Sequence, residues 1–169
     1  MRKSVLSARP PAPFFAVAFA LLLLLPVVLP AATRADFDRA VDFSVTLKTL
    51  AAAAEGKAPL PTGKIILLSG TVSNVTIINK DEATFKVRIE VITGEWIGLE
   101  EVLSYSCYVE YTGAEFFKVF PARAPAKANP DIIAQNSRVL LAGHAVDILT
   151  TPLGEKRVLV EGVYIRTIE

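Results

Sequence analysis

The sequence predicts a mainly β protein, in which a small five-stranded barrel follows a signal peptide and an N-terminal helix. An apolar segment near the N-terminus has the layout of a leader, and residues 36–56 have helical periodicity. From residue 64 onward, β-forming stretches alternate with short polar turns. The predicted organisation is a signal peptide over 1–35, an amphipathic helix over 36–56, a linker over 57–63 and a barrel domain over 64–169.

The first 35 residues are typical of a secretory leader. Three basic residues and no acidic one precede an apolar run from Phe14 to Leu29, which is shorter than the ~20 residues that a membrane-spanning helix requires. Residues 33–35 then place small side chains at the two positions that a signal peptidase reads. Export to the periplasm or the exterior is therefore expected, and an uncleaved N-terminal anchor is the alternative.

The charge balance of the chain limits the class of partner. The chain has 18 basic and 17 acidic residues, and four of the basic ones precede a cut after Ala35, so the remaining 134 residues carry 14 basic and 17 acidic side chains. A net charge of −3 argues against a nucleic-acid partner, which requires a basic footprint. The expected partner is instead an unknown protein or a small polar ligand, with membrane contact only through the signal segment before cleavage.

Residues 36–56 are predicted to be an amphipathic helix. Wound at helical spacing, their polar and apolar side chains fall on opposite arcs, with Asp36 able to cap the start and Gly56 placed at the end. A strand is the rival interpretation, because apolar residues alternate from 41 to 47. The four alanines at 51–54 favour the helix.

Five strands are predicted in the remainder of the chain. The clearest period-two alternation is in residues 83–92, where apolar residues from Phe85 to Val91 alternate with Lys86, Arg88 and Glu90. The strands are expected at about 65–78, 83–92, 103–111, 138–149 and 156–168. A loop at 93–101 and an insert at 113–135, rich in proline and alanine, interrupt them.

A repeated glycine indicates bent strands. Gly70, Gly143 and Gly162 each follow two aliphatic residues and a spacer, and each precedes further β-forming residues. At the last two, the apolar phase slips, which indicates a bulge or a sharp bend. Long strands that bend are what a small closed barrel requires.

With these bent strands and an insert between the third and the fourth, residues 64–169 resemble an OB-fold barrel. The resemblance implies a ligand surface on the face of the second and third strands, flanked by the loops that join strands one to two and four to five. That surface would contain Lys86, Arg88, Tyr108 and the turns at 79–82 and 150–155. An ordinary solvated face is the alternative, because Glu90 continues it.

Trp96 is the fourth candidate ligand-binding residue. It is the only tryptophan and lies in the predicted loop between the second and third strands. Its indole would either stack on a sugar or a base, or fold back to plug the end of the barrel. Three phenylalanines of the insert are expected to anchor that segment on the core: Phe116, Phe117 and Phe120.

No residue of the chain has the sequence context of a catalyst. His144, the only histidine, is expected to be a strand residue, and Cys107, the only cysteine, a buried one; an intermolecular disulfide or a reactive thiol is the alternative for Cys107. No catalytic residue, metal site or cofactor is predicted. The predicted function is an exported, non-catalytic binding or interaction module. The alternative is a structural or assembly subunit of the cell envelope whose N-terminal helix is an interface.

Overall fold

The computed structural model describes residues 33–121, 129 and 131–168. A helix α1 (Arg34–Ala40), a two-residue strand β1 (Val41–Asp42) and a helix α2 (Leu47–Ala54) precede five long strands. The long strands are β2 (Ile65–Asn79), β3 (Lys86–Ile97), β4 (Glu101–Thr112), β5 (Arg138–Thr150) and β6 (Lys156–Thr167). The predicted signal peptide falls almost entirely outside the described residues and stays a prediction.

The five long strands close into a barrel. They pair in the order β2-β3-β4-β6-β5, and β5 pairs back to β2. Every pairing among them is antiparallel except that of β4 with β6, where Tyr108 lies opposite Leu159. This closed five-stranded arrangement confirms the predicted OB-like barrel. The short strand β1 adds a parallel partner to β2.

Close approach of neighbouring strands explains two of the repeated glycines. Gly143 and Gly162 lie opposite each other, and the register of β5 against β6 shifts between Ala142 and Gly143. A methyl group on Gly162 would overlap the ring of Tyr111, and one on Gly143 would overlap the carbonyl of Glu161. The predicted irregularity at Gly143 is therefore confirmed.

The insert after β4 covers one end of the barrel. Phe116 and Phe120 are buried, with ring centroids 4.8 and 5.6 Å from that of Tyr111. Phe117 packs edge-on against Phe85, with 5.5 Å between ring centroids. These contacts confirm the expected anchoring of the insert. Residues 122–128 and 130 of the insert lie outside the described residues.

Two short helices stand in place of the single helix predicted over 36–56. Thr33 caps α1 and Thr46 caps α2, each in a reciprocal capping box, and β1 lies between the two helices. Only α2 has buried residues, among them Leu47 and Leu50, which belong to the barrel's core cluster. No helix in the described part of the chain is long and apolar enough to cross a membrane.

The loop predicted at 93–101 is in fact the tip of a β-hairpin. The ladder of β3 with β4 continues from Gly94 opposite Ser104 to Ile97 opposite Glu101, so only three residues form the turn. Trp96 is 70% exposed on this hairpin. It therefore does not plug the barrel, and the alternative that placed it there is wrong.

Candidate ligand-binding groove

Strand alternation determines which side chains reach the outer surface of β3 and β4. Val87, Ile89 and Val91 are buried in the barrel, so the residues between them face outward. Lys86 and Arg88 are therefore on the outer face. In the register of the two strands, Arg88 lies opposite Glu110, and Tyr108 is two residues from Glu110 on the same face.

These outward side chains line one wall of an open groove of about 350 Å³. The opposite wall is formed by the end of β5 and the turn that follows it. The groove is lined by Asn74, Thr76 and Ile78 of β2, Arg88 of β3, Tyr108 of β4 and residues 149–152. Neither α2 nor a described residue of the insert lines it. The usual ligand surface of an OB-fold is thus free of α2 and of the described residues of the insert.

A cation and an aromatic ring lie together in the groove. The guanidinium carbon of Arg88 is 5.7 Å from the ring centroid of Tyr108, within the range of a cation–π contact. The Nε of Arg88 donates a hydrogen bond of 2.9 Å to Glu110. The guanidinium is therefore held in one orientation against the ring.

Glu110 fixes the two cations of the outer face. Lys86 Nζ lies 2.7 Å from one carboxylate oxygen, and Arg88 contacts the other. Desolvation raises the pKa of Glu110, but hydrogen bonds from Lys86 and Arg88 outweigh it and leave the pKa below its usual value. One ionised carboxylate thus pairs with two cations, and the three side chains together carry a net charge of +1.

The neighbouring Glu90 has its own partners. Its carboxylate accepts a 2.8 Å hydrogen bond from the Ser73 hydroxyl and lies 4.0 Å from Arg157 Nε. Arg157 also forms an ion pair of 2.6 Å with Glu155. Glu90 therefore has a hydroxyl and a guanidinium within reach and does not compete with Glu110 for Arg88.

The structure brings some of the predicted site residues together and separates others. Arg88 and Tyr108 line the groove, and Lys86 is joined to it through Glu110. Trp96 is eight residues further along β3, roughly 26 Å away at the usual strand rise, and does not contribute. Of the predicted rims, the turn at 150–155 contributes its first residues, whereas Lys80 of the turn at 79–82 lines a different cavity.

Sequence reasoning missed the β2 side of the groove. Asn74 and Thr76 are exposed, and the apolar Val75 between them is partly buried against the core. This alternation of polar and apolar residues is visible in the sequence and was the available signal. A register shift between Val72 and Asn74 reverses the inner phase within β2, so this alternation does not extend along the whole strand.

The remaining candidates for chemistry lie elsewhere. His144 is half-buried on β5 opposite Glu161, and Cys107 is fully buried in the core. Among the residues that the structure describes, no group of His, Cys, Asp or Glu side chains is placed to hold a metal ion. The absence of catalysis stays a prediction.

Comparison with known proteins gives similarity in structure only. No family model matches the chain, and no curated protein matches it. A Plasmodium falciparum SSB in complex with ssDNA matches at 11% identity and a TM-score of 0.39, covering 62% of this chain and 94% of that one. A small single-stranded DNA-binding protein from Streptomyces coelicolor matches at 11% identity and a TM-score of 0.36, covering 62% and 91%.

The comparison corrects two expectations. Both similar structures are of single-stranded DNA-binding proteins, which contradicts the expectation that nucleic acid is not a partner. The predicted function, a module for a protein or a small polar ligand, is corrected in the same way, and the envelope-subunit alternative gains no support. Export and the absence of catalysis stay predictions. Net charge summed over a chain does not exclude a nucleic-acid partner, because a binding face depends on where its cations lie.

Proposed function

We propose that the barrel binds single-stranded nucleic acid along the outer groove of β2, β3 and β4. The observation that carries the proposal is the Arg88–Tyr108 pair, a guanidinium held against an aromatic ring in a groove that no described residue of α2 or the insert lines. OB-folds use this face and the adjoining loops to bind oligonucleotides and oligosaccharides. This ligand surface is a property of OB-folds in general. Binding by this barrel therefore depends on the side chains that line its own groove.

The groove offers the two kinds of contact that a single strand requires. An aromatic ring stacks on an unpaired base whatever its identity, at about 1–3 kcal/mol per base. Tyr108 supplies that ring, and Arg88 is placed beside it to approach a phosphate or a second base. The hydroxyl and amide groups of Asn74, Thr76 and Thr151 add hydrogen-bonding partners along the walls.

The charge on this face limits the affinity that we expect. Lys86 and Arg88 share Glu110, so the surplus positive charge is small. Few counterions would be released from the strand, and the affinity would depend only weakly on salt. We therefore expect binding that depends mainly on stacking.

The test is a fluorescence-anisotropy titration of a labelled oligothymidine with the full chain and two variants. Tyr108→Ala removes the stacking ring and should weaken binding by about 1–3 kcal/mol, which corresponds to roughly five- to 150-fold. Arg88→Ala should also weaken binding. A duplex of the same length should bind less well than the single strand, because its bases are not free to stack.

Matched controls on β6 separate the groove from the surface in general. Tyr164→Ala removes a half-exposed tyrosine and Arg166→Ala an exposed arginine, and neither residue lines the groove. Both controls should bind like the unmodified chain. Absence of oligothymidine binding, or equal losses for Tyr164→Ala and Tyr108→Ala, would refute the proposed site.

A further inference from the structure

The tip of the β3–β4 hairpin presents an unusual apolar surface. Residues 93–104 are all exposed. Over this stretch, β3 and β4 pair with each other and with no other described strand. Leu99 is 95% exposed and Trp96 70%. The tip, defined as residues 96–103, also exposes Ile97, Val102 and Leu103. Five large apolar side chains clustered in this way mark an interaction surface.

The tip is also acidic. Glu100 ends the turn and Glu101 begins β4, and neither makes an ion pair with any residue that the structure describes. Two uncompensated carboxylates beside apolar side chains are repelled by an anionic lipid surface. The partner that fits must be apolar and bear positive charge at its edge.

The chain itself contains such a surface at the other end of the barrel. A cavity of about 430 Å³, here called the phenylalanine cavity, has an apolar floor and two lysines. Its size is in the range of pockets that accept a side chain or small ligand. The lysines make no ion pair within the described part of the chain. The floor is Ile77, Phe85, Phe117 and Phe120, and the lysines are Lys80 and Lys118.

The geometry points to head-to-tail association, in which the hairpin tip of one copy occupies the phenylalanine cavity of the next. Trp96 and Leu99, the most exposed apolar side chains of the tip, would pack against the aromatic floor of the cavity. Glu100 and Glu101 would then lie beside Lys80 and Lys118. A second copy is favoured over another partner because it matches both the apolar character and the charge of the tip.

The placement of the two surfaces determines the form of the assembly. Phe85 immediately precedes β3 and Ile97 ends it, so the cavity and the tip lie about 40 Å apart along the strand. Surfaces at opposite ends of one molecule make a heterologous contact, which produces an open chain unless the rotation closes a ring. We therefore expect a distribution of oligomers that grows with concentration, rather than a single dimer.

The test uses the full chain without nucleic acid, so it is independent of the proposed function. Sedimentation velocity should show oligomers that increase with concentration. Trp96, the only tryptophan, should shift its emission to shorter wavelength as it becomes buried. Glu100→Lys/Glu101→Lys and Lys80→Glu/Lys118→Glu should each weaken association about tenfold or more, because like charges then face each other.

Mixing the two double variants is the decisive step. Each alone has a like-charged interface, whereas the mixture again pairs opposite charges and should restore assembly. Lys64→Glu, an exposed charge change outside both surfaces, should leave assembly intact. The inference is overturned if the unmodified chain is monomeric at every concentration, or if mixing does not restore assembly. Binding of monomers to phosphatidylcholine vesicles that requires Trp96 and Leu99 would overturn it in favour of a lipid surface.

Discussion

At the scale of single residues, Cys107 shows how burial determines the chemistry of a side chain. It lies in the inward phase of β4 and is fully buried. Burial raises the pKa of its thiol to about 12, and the negative charge of Glu90 adds to the effect. A thiol in this state is inert at neutral pH, so the structure favours the packing role expected for it over the reactive one.

This burial predicts a loss of stability in alkaline solution. In the unfolded chain, the thiol ionises near its usual pKa of 9.0, whereas in the folded chain it stays protonated until about 12. The free energy of unfolding should therefore be unaffected by this group below pH 9 and fall as pH rises above it, by up to about 1.4 kcal/mol per pH unit.

Urea denaturation between pH 8 and 10 checks this prediction. Tyr111 contributes little in that window because its phenol, whose pKa burial also raises, ionises only near 10.0 when unfolded. Cys107→Ala should be less stable overall but lose the thiol's share of the pH dependence. Identical pH profiles for both proteins would show that the thiol is not coupled to folding.

The β3 and β4 wall of the groove was predictable from the sequence, whereas its β2 wall was not. Arg88 and Tyr108 follow from simple alternation along well-defined strands, and both line the groove. To place Asn74, Thr76 and Ile78 on the outer face, one must know which residues of β2 point inward. Bulges in the pairing of β2 with β3 obscure that alternation. The sequence also does not reveal that Glu110 joins Lys86 to Arg88, because that pairing depends on the register between strands.

At the scale of elements, the two short helices have different roles. α1 has no buried residue, whereas Leu50 of α2 is fully buried in the core. Leu50→Ala should therefore lower the free energy of unfolding by about 2–5 kcal/mol through the cavity that it leaves. Phe37→Ala on α1 should change it by less than about 1 kcal/mol.

Urea or thermal denaturation measures both variants. A Leu50→Ala protein as stable as Phe37→Ala would show that α2 is attached to the barrel rather than part of its core. The measurement also bears on the alternative that the N-terminal segment is an interface, because a helix needed for the core is not free to bind elsewhere.

The elements that sequence reasoning misplaced depend on non-local pairing. Residues 36–56 have a helical pattern, yet Asp42 accepts hydrogen bonds from the backbone and hydroxyl of Ser44, which favours a turn there. Val41 then pairs with Ile65, a contact that no local pattern indicates. Likewise, Gly94 and Gly98 suggested a loop, but Gly94 lies in a ladder and only Gly98 occupies the turn, with a positive φ of 65°.

At the scale of the whole molecule, both ends of the closed barrel are covered, whereas the groove on its outer face is free of α2 and of the described residues of the insert. The phenylalanines of the insert pack at the end where β3 begins, and α2 packs where the β3–β4 hairpin emerges, with Lys48 bound to Glu95 at 2.8 Å. The closed, bent β architecture was predictable because repeated glycines and alternation act over long stretches. Which segment covers each surface was not, because it depends on contacts between distant parts of the chain.

The most direct test of the central claim is a nuclear magnetic resonance titration of the isotope-labelled chain with unlabelled oligothymidine. We predict that the largest chemical-shift changes cluster on Thr76, Arg88, Tyr108 and the turn at 150–152. Residues of the phenylalanine cavity, such as Phe117, should show no change. Changes that cluster away from the groove, or none at saturating oligonucleotide, would contradict the account.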